Sequence, residues 1–326
     1  MNRILVIQTA FIGDVILATA LLEKLHQHYP NAKLDILLRK GNESLFVGHP
    51  FINECLIWDK QNNKYKNLLQ CIRKVRLAKY DVVVNCQRYA ASGLIAGLSS
   101  AKKIIGFSKN PLSFLFDIKI KHEIGNGQHE IERNQMLIAD LTDPKASKPK
   151  LYPRIIQLPE KPYVCVAPAS VWATKQLPVK QWITLCQNIP EKFNIVFLGG
   201  NSDQKLIGQL IAQLPHSKRL INRCGTLNLL ESAVVMQHAD MNYVNDSAPL
   251  HLASAVNAPV CAFFCSTIPE FGFGPLSDKQ FIIQAKEKLD CRPCGLHGKK
   301  TCPEGHFKCG SNIDVKQATN LLLGPV

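Results

Sequence analysis

Short apolar runs alternate with longer helical segments along the whole chain, and this alternation limits the folds open to it more than any other feature. The first run, RILVIQ at residues 3–8, reads as a strand that is covered on both faces. Similar runs lie at residues 33–38, 81–86, 103–107, 163–167, 194–199, 241–245 and 260–265. Predicted helices fall between them at 14–28, 66–79, 129–141, 178–188, 202–213, 229–237 and 248–256. Strands and helices that alternate with short links form parallel sheets, so we expect an α/β fold of doubly wound units.

A proline-rich stretch divides this alternation into two halves. Residues 142–162 hold five prolines in 21 positions and show no helical period, which is typical of a domain boundary. The 326 residues also suit two domains of about 150 residues each better than one. We therefore expect an N-terminal domain over residues 1–155 and a C-terminal domain over residues 156–326.

The formal net charge of +14 is concentrated in the first half of the chain. Residues 1–155 contain 23 Lys and Arg against 13 Asp and Glu, whereas residues 156–326 contain 16 against 12. Such an excess indicates an acidic partner: nucleic acid, an anionic membrane surface or a phosphorylated substrate. No nucleic-acid-binding motif accompanies the charge, which argues against the first. The basic segment 64–79 suggests peripheral contact with a membrane as a hypothesis.

Nothing in the sequence predicts a membrane-spanning helix, because no apolar run reaches the roughly 18 residues that one needs. The apolar N-terminus superficially resembles a secretory signal, but Gly13 and Asp14 interrupt it and no small-residue cleavage site follows. A buried first strand and helix are the better interpretation. Eight scattered Cys residues, mostly in apolar segments, also fit the reduced thiols of a cytoplasmic protein.

The segment VNDSAPLHLASA at residues 244–255 carries the strongest ligand-binding pattern. A strand ends just before Asp246 and Ser247, which form a turn, and a helix of small residues begins near Ala248. The N–H groups of a first helical turn have no intrahelical partners and the helix dipole favours anions, so this turn can bind a diphosphate. Ser247 and His251 are candidate side-chain donors. The competing interpretation is a helix capped by Asp246 or Ser247, with no ligand.

Two further strand-to-helix turns carry candidate chemistry. The loop APASVWATKQLP at 167–178 contains Lys175, which offers a point charge for a phosphate but lacks the glycine spacing of a Walker loop. The alternative for Lys175 is a solvated loop lysine. In the first strand-to-helix turn, Gly13 permits a tight turn or a close backbone approach, and Asp14 begins a helix at the carboxyl edge of the predicted sheet. Asp14 is there either a general base or a helix cap.

Four cysteines near the C-terminus form the pattern C-x2-C-x7-C-x6-C, namely Cys291, Cys294, Cys302 and Cys309. Four thiolates with a C-x2-C corner match a tetrahedral structural site for Zn or Fe, with His297 and His306 as substitute ligands. Disulfides and free thiols in a packed flap are the two other interpretations.

In combination and in this order, the motifs resemble glycosyltransferase family 9, the ADP-heptose:lipopolysaccharide heptosyltransferases. The resemblance runs essentially end to end. It rests on GD at 13–14, VWATK at 171–175, GG at 199–200, NDSAPLH at 245–251, FGFGP at 271–275 and the terminal cysteine block. The block CRPCGLHGKKTCPEGHFKC looks most like the heptosyltransferase II branch.

The resemblance implies a GT-B architecture, in which two Rossmann-like domains face each other across a cleft. It implies an inverting transfer of heptose from ADP-heptose to a phosphorylated lipopolysaccharide inner-core acceptor, with no cofactor required and the acceptor on the N-terminal domain. It gives Asp14 the role of base and Lys175 a contact to the donor diphosphate. The implied donor-binding positions are Gly13, Thr174, Leu227, Asp246, Ser247, Ala248 and His251, with Leu227 near the adenine.

Two features depart from the family pattern. Many members have Gly where this chain has Ala248, and Pro249 follows it, which removes an N–H donor. The acidic residue that follows the paired glycines in the family is matched only by Ser202 or Asp203. These departures leave open a transferase for another nucleotide sugar or acceptor, and a non-catalytic nucleotide-sugar or anionic-glycan binding module. The presence of both Asp14 and Lys175 argues against the module, since binding alone needs no base.

Overall fold

A computed structural model describes residues 1–323, and the chain divides into two compact units, one from Met1 to Tyr152 and the other from Pro153 onward. Each unit is built on one six-stranded sheet in which all neighbouring strands are parallel. The prediction of two doubly wound α/β sheets is therefore confirmed. No helix within residues 1–323 is both long and apolar enough to cross a membrane.

The N-terminal unit has the strand order β3-β2-β1-β4-β5-β6. Its strands are β1 (Arg3–Gln8), β2 (Lys33–Arg39), β3 (Ile52–Trp58), β4 (Val82–Asn85), β5 (Lys103–Phe107) and β6 (Ile118–Ile120). Its helices are α1 (Ile12–His28), α2 (Lys64–Leu77), α3 (Ala90–Gly97) and α4 (Glu130–Gln135). The helix predicted over 129–141 thus ends at Gln135, and hydrogen-bonded turns continue to residue 142.

The C-terminal unit has the strand order β12-β11-β10-β7-β8-β9. Its strands are β7 (Tyr163–Ala167), β8 (Asn194–Phe197), β9 (Leu220–Asn222), β10 (Met241–Asn245), β11 (Val260–Phe264) and β12 (Gln280–Gln284). Its helices are α5 (Val179–Asn188), α6 (Gln204–Ile211), α7 (Leu229–His238), α8 (Ala248–Ala255), α9 (Lys308–Ser311) and α10 (Lys316–Leu323).

The two sheets have the same order when each is numbered from its own first strand, and it is the Rossmann order. The first strand of each unit, β1 or β7, has the second strand on one side and the fourth on the other. In each unit, the chain runs from the first strand towards one edge of the sheet and from the fourth strand towards the other edge. This divergence opens a crevice at the carboxyl ends of the first and fourth strands. Residues that follow β1 and β4, or β7 and β10, are placed at this crevice by topology alone.

The central strands are buried on both faces, which explains their unbroken apolar sequences. Residues 4–7 of β1 and all residues of β7 and β11 are almost fully inaccessible to solvent. In the C-terminal core, the indole of Trp182 on α5 packs edge-on against Phe263, with ring centroids 5.3 Å apart. These rigid strands fix the positions at which the loops of the candidate site begin.

Candidate active site

A charged pair lies at the carboxyl ends of β7 and β10, at the crevice of the C-terminal sheet. Lys175 Nζ is 2.7 Å from Asp246 Oδ2, and Thr267 Oγ1 donates to the same carboxylate oxygen at 2.6 Å. The Lys175 side chain is 15% exposed and that of Asp246 is 6% exposed. Charge-assisted hydrogen bonds of this kind are strong where water is excluded. The pair therefore holds the Lys175 ammonium group in a fixed position that is only slightly exposed to solvent.

Asn245 fixes the loop that carries Lys175. This last residue of β10 is fully buried, and its Oδ1 accepts a hydrogen bond from Leu177 N at 2.9 Å. Its Nδ2 donates to Pro168 O at 2.7 Å. Both ends of the loop 168–177 are thus attached to the same amide, so the position of Lys175 depends on the sheet rather than on solvent.

The turn before α8 does not form the side-chain helix cap that was the competing interpretation of this segment. Ser247 is the N-cap residue, yet its side chain makes no capping hydrogen bond, and its Oγ lies 3.3 Å from Ala169 O as a donor. The Asp246 carboxylate is occupied by Lys175 and Thr267. Pro249 has no N–H, and Leu250 N donates to Ser247 O at 3.0 Å. The first turn of α8 therefore has no side-chain cap, and with Pro249 lacking an N–H and Leu250 N already bonded, its candidate backbone donors lie at the very start of the helix.

The cysteine-rich segment packs against the Lys175 loop through Thr174. Thr174 N donates to Lys299 O at 3.1 Å, and Lys299 N donates to Thr174 Oγ1 at 2.7 Å. Ser266 Oγ donates to the same hydroxyl oxygen at 3.0 Å. Gly298 has φ +75°, and a Cβ built on it would lie 2.9 Å from Thr174 Oγ1 and 3.0 Å from Lys175 Cγ. This reciprocal pair, which we call the Thr174–Lys299 clamp, needs a glycine at position 298.

The metal site that the spacing of the four C-terminal cysteines predicted finds no support in the structure. All four are free thiols, and no group of three or more His, Cys, Asp and Glu residues within 1–323 is arranged to hold a metal ion. Burial, followed by the neighbouring Cys294 and Cys302, raises the pKa of Cys309 to about 11. Arg292 attaches the segment to β11 instead, donating to Thr267 O at 2.7 Å and Phe264 O at 3.3 Å.

The other predicted donor positions lie on α8 and on a separate loop. His251 is buried on α8, one turn after Ser247. Leu227 is half-buried in the loop between β9 and α7, so it does not belong to the loops that meet at Lys175. After the paired glycines, Asp203 Oδ2 accepts from Gly200 N at 2.8 Å and caps its own turn.

Asp14 lies in the first turn of α1, directly after β1 in the N-terminal unit. Gly13 beside it lies within α1 and has no left-handed backbone, so it does not form the tight turn that was one expectation for it. Burial raises the pKa of Asp14 to about 6, the negative charge of Glu130 adds to this rise, and Arg88 opposes it. Glu130 is buried at the start of α4, where it accepts a hydrogen bond from Arg133 Nε at 2.7 Å. A carboxyl group with such a pKa can exchange a proton near neutral pH.

Cationic side chains that the sequence analysis missed surround the same edge of the N-terminal sheet. Lys60 Nζ donates to Thr9 O at 2.7 Å, and the guanidinium of Arg39 lies 4.7 Å from the ring centre of Phe11, the N-cap of α1. Burial lowers the pKa of Lys60 to about 8, and the charges of Arg39 and Lys64 add to this effect. Their positions in the sequence could have identified these side chains, because Arg39 ends β2 and Lys60 follows β3, so both lie at the carboxyl edge of the sheet.

Solved structures define the class of this fold. The glycosyltransferase family 9 protein of Veillonella parvula superposes with a TM-score of 0.83 at 20% sequence identity, covering 99% of this chain and 98% of that one. The E. coli ADP-heptose lipopolysaccharide heptosyltransferase II gives a TM-score of 0.75 at 20% identity, covering 99% of both chains. The two Rossmann-ordered sheets and these matches establish the GT-B architecture.

Sequence comparisons narrow the class of protein from a fold to a family. The family model for glycosyltransferase family 9 (heptosyltransferase) matches residues 68–307. Lipopolysaccharide heptosyltransferase 1 of Pseudomonas aeruginosa is 25% identical over 329 residues, which cover 92% of this chain and 87% of that protein. The chain belongs to glycosyltransferase family 9, and the activity that its motifs indicated, glycosyl transfer, is confirmed at the level of the enzyme class.

Proposed function

We propose that the protein transfers heptose from ADP-heptose to a phosphorylated inner-core sugar of lipopolysaccharide in the cytoplasm, with inversion at the anomeric carbon and without a catalytic metal. The observation that carries this proposal is the enclosed Lys175–Asp246 pair beside the uncapped first turn of α8. The choice of sugar and acceptor is supported by the names of two similar proteins, lipopolysaccharide heptosyltransferase 1 of Pseudomonas aeruginosa and the E. coli heptosyltransferase II. The cysteine block favours the heptosyltransferase II branch.

The C-terminal crevice supplies positive potential where the donor diphosphate gains charge. Lys175 contributes a full charge, and the first turn of α8 contributes oriented N–H groups, with Ser247 and Ala248 at its start. These groups are fixed before substrate arrives, so they need little reorganisation as the leaving group develops its charge. They take the place that a divalent cation has in metal-dependent transferases.

Asp246 has a positioning role in this scheme. Its carboxylate would repel a diphosphate at close range, but it shares its charge with Lys175 and Thr267. It thereby keeps the Lys175 ammonium at the mouth of the crevice instead of leaving a long side chain free in solvent. We therefore assign the direct phosphate contact to Lys175 and the placement of Lys175 to Asp246.

The N-terminal crevice supplies the base and the acceptor site. Asp14 takes the proton of the acceptor hydroxyl as its oxygen attacks the anomeric carbon of heptose. The new bond joins that oxygen to the anomeric carbon, the bond to the β-phosphate oxygen breaks, and the electron pair leaves with ADP. Arg39, Lys60 and Lys64 provide the cationic edge that suits a phosphorylated acceptor.

A transfer assay tests the proposal. Purified protein is incubated with an inner-core acceptor and, in separate reactions, ADP-heptose, ADP-glucose, UDP-glucose or GDP-mannose. We expect turnover with ADP-heptose that survives EDTA and yields the inverted anomer by NMR. Preferential use of another donor would overturn the donor assignment.

Asp14→Asn tests the base. We expect kcat to fall by roughly 10²–10⁴-fold, the usual contribution of a general base, while the affinity for ADP-heptose stays unchanged. Glu123→Gln, an exposed carboxylate in the same unit, is the matched control and is expected to keep full activity. Turnover of the Asp14 variant at the wild-type rate would remove Asp14 from the mechanism.

A further inference from the structure

Helix α2 carries a positive charge that the proposed donor and acceptor sites, which use only its first residue, Lys64, leave mostly unexplained. It contains Lys64, Lys66, Arg73, Lys74 and Arg76 and no acidic residue. Its remaining face is apolar and packs on the sheet through Leu68, Cys71, Ile72 and Val75. Among residues 1–323, no acidic side chain forms a salt bridge with any of these five cations.

The exposed face of α2 also carries large apolar side chains. Tyr65 is 75% exposed, Leu69 65% and Leu77 71%. With 3.6 residues per turn, these side chains alternate with Lys66, Arg73 and Arg76 on the side opposite to the buried one. A helix that serves only solubility would expose polar residues there, so the combination indicates a partner that is anionic at its surface and apolar beneath.

A cationic cavity lies at the end of this helix. It has a volume of about 560 Å³ and is lined by Arg73, Arg76, Lys79 and Lys102, together with Leu77 and Tyr80. Asp81 pairs with Lys102 Nζ at 2.7 Å, and Asp35, which accepts from the Tyr80 hydroxyl at 2.7 Å, is itself paired with Arg3. Residues 79 and 102 precede β4 and β5, so the cavity lies at the amino edge of the sheet, whereas Asp14 follows the carboxyl end of β1. The cavity is thus distinct from the acceptor site proposed above.

We propose that the exposed face of α2 and this cavity, together termed the α2 basic face, dock the protein on an anionic phospholipid bilayer. The cations contact lipid phosphates, with one headgroup phosphate in the cavity, and Tyr65, Leu69 and Leu77 enter the interface between headgroups and acyl chains. The choice of a bilayer over another polyanion rests on the proposed function, because that acceptor is anchored in a membrane by its lipid.

The placement of α2 supports this assignment. Its fourteen residues span roughly 20 Å, and its first residue, Lys64, follows closely on Lys60 at the carboxyl edge of the sheet. A helix lying in the plane of the bilayer would therefore have one end beside the cationic acceptor site. Docking through α2 brings that site to the membrane surface without inserting any segment across it.

Vesicle co-sedimentation of the full-length protein tests the proposal. Vesicles of phosphatidylcholine alone are compared with vesicles that also contain phosphatidylglycerol, at low and high salt and without acceptor. We expect binding only to the anionic vesicles and weaker binding at high salt. Binding to both kinds of vesicle alike, or to neither, would overturn the proposal.

Substitutions locate the binding surface. Arg73→Gln/Arg76→Gln should weaken vesicle binding at least roughly tenfold, since each cation near an anionic membrane contributes about 1 kcal/mol. The matched control is Lys109→Gln/Lys119→Gln, which removes the same charge from exposed positions of the same unit and should bind as the wild type does. Equal weakening of both double variants would reduce the effect to net charge and refute the assigned surface.

Two further measurements separate the alternatives. Leu69→Gln, which removes an apolar side chain and no charge, should weaken binding to anionic vesicles and leave any binding to duplex DNA unchanged. If the wild-type protein binds DNA as strongly as it binds vesicles, the surface is a general polyanion site and the membrane proposal is refuted. All α2 variants should transfer heptose to a water-soluble inner-core fragment at the wild-type rate. A failure of docking with transfer intact therefore refutes only the membrane proposal, whereas a loss of transfer in the wild-type protein refutes the proposed function.

Discussion

Two ionisable side chains at the N-terminal crevice have pKa values on opposite sides of neutrality. Burial raises the pKa of Asp14 to about 6, whereas burial lowers that of Lys60 to about 8. Folding thus disfavours the ionised form of Asp14 relative to a free aspartate, and this form predominates only above about pH 6. Lys60 keeps its charge only below pH 8. Both groups have the charge that the proposed mechanism needs within the interval between these values.

This interval gives a pH dependence. We expect kcat/KM for the acceptor to fall below about pH 6, as Asp14 is protonated, and above about pH 8, as Lys60 loses its proton. Lys60→Arg, whose charge persists, should remove the alkaline fall and leave the acid one. A profile whose alkaline limb is the same in Lys60→Arg would exclude Lys60 as its origin.

At the scale of elements, the loop after β7 depends on two neighbours that are distant in sequence. Asn245 holds both ends of the loop, and the Thr174–Lys299 clamp holds its middle. The cysteine-rich segment therefore has a structural connection to the proposed donor site through the Lys175 loop. This connection explains why a glycine with positive φ lies at position 298.

Gly298→Ala tests the clamp. The added Cβ would lie 2.9 Å from Thr174 Oγ1 in a backbone conformation that L-residues rarely adopt, so the segment must move away from the Lys175 loop. We expect KM for ADP-heptose to rise at least roughly tenfold, as expected for the loss of a charged contact. Gly305→Ala is the control, because its φ of +69° is equally unfavourable but no atom lies within 4 Å of the added Cβ. An equal effect of both substitutions would indicate backbone strain rather than the clamp.

At the scale of the molecule, the residues proposed for donor binding and for proton removal fall in different units. Lys175 belongs to the unit that begins at Pro153, and Asp14 to the unit that ends at Tyr152. The charge excess follows the same division, since the proposed acceptor and membrane contacts lie in the basic N-terminal unit.

This division predicts the response to ADP. We expect ADP to raise the melting temperature of the wild-type protein, with about 2.7 kcal/mol of stabilisation at a hundredfold excess over Kd. Asp14→Asn should keep this stabilisation and Lys175→Met should lose most of it. Differential scanning calorimetry with and without ADP measures the shift. A shift that disappears in Asp14→Asn, or persists in Lys175→Met, would contradict the division.

The α/β class and most of the central strands could be predicted because parallel strands covered on both faces have unbroken apolar sequences. The four strands that the sequence analysis missed, β3, β6, β9 and β12, are the outer strands of the two sheets. They are partly exposed, so the pattern that identifies buried strands is absent from them. The turns that carry Asp14, Lys175 and Asp246 were recognisable for a related reason, since each connects a strand to the helix that follows it.

The sequence by itself thus determined the two parallel α/β units, the enzyme family and the turns that carry the candidate chemistry, because these depend on local pattern and order along the chain. Only the tertiary structure decided which turns meet. It brought Thr267 to Asp246 and Lys299 to Thr174, and it added Arg39 and Lys60 to the edge that bears Asp14. It also left the four cysteines without a metal site. These contacts join residues far apart in sequence, and their geometry depends on the order and spacing of strands in the folded sheets.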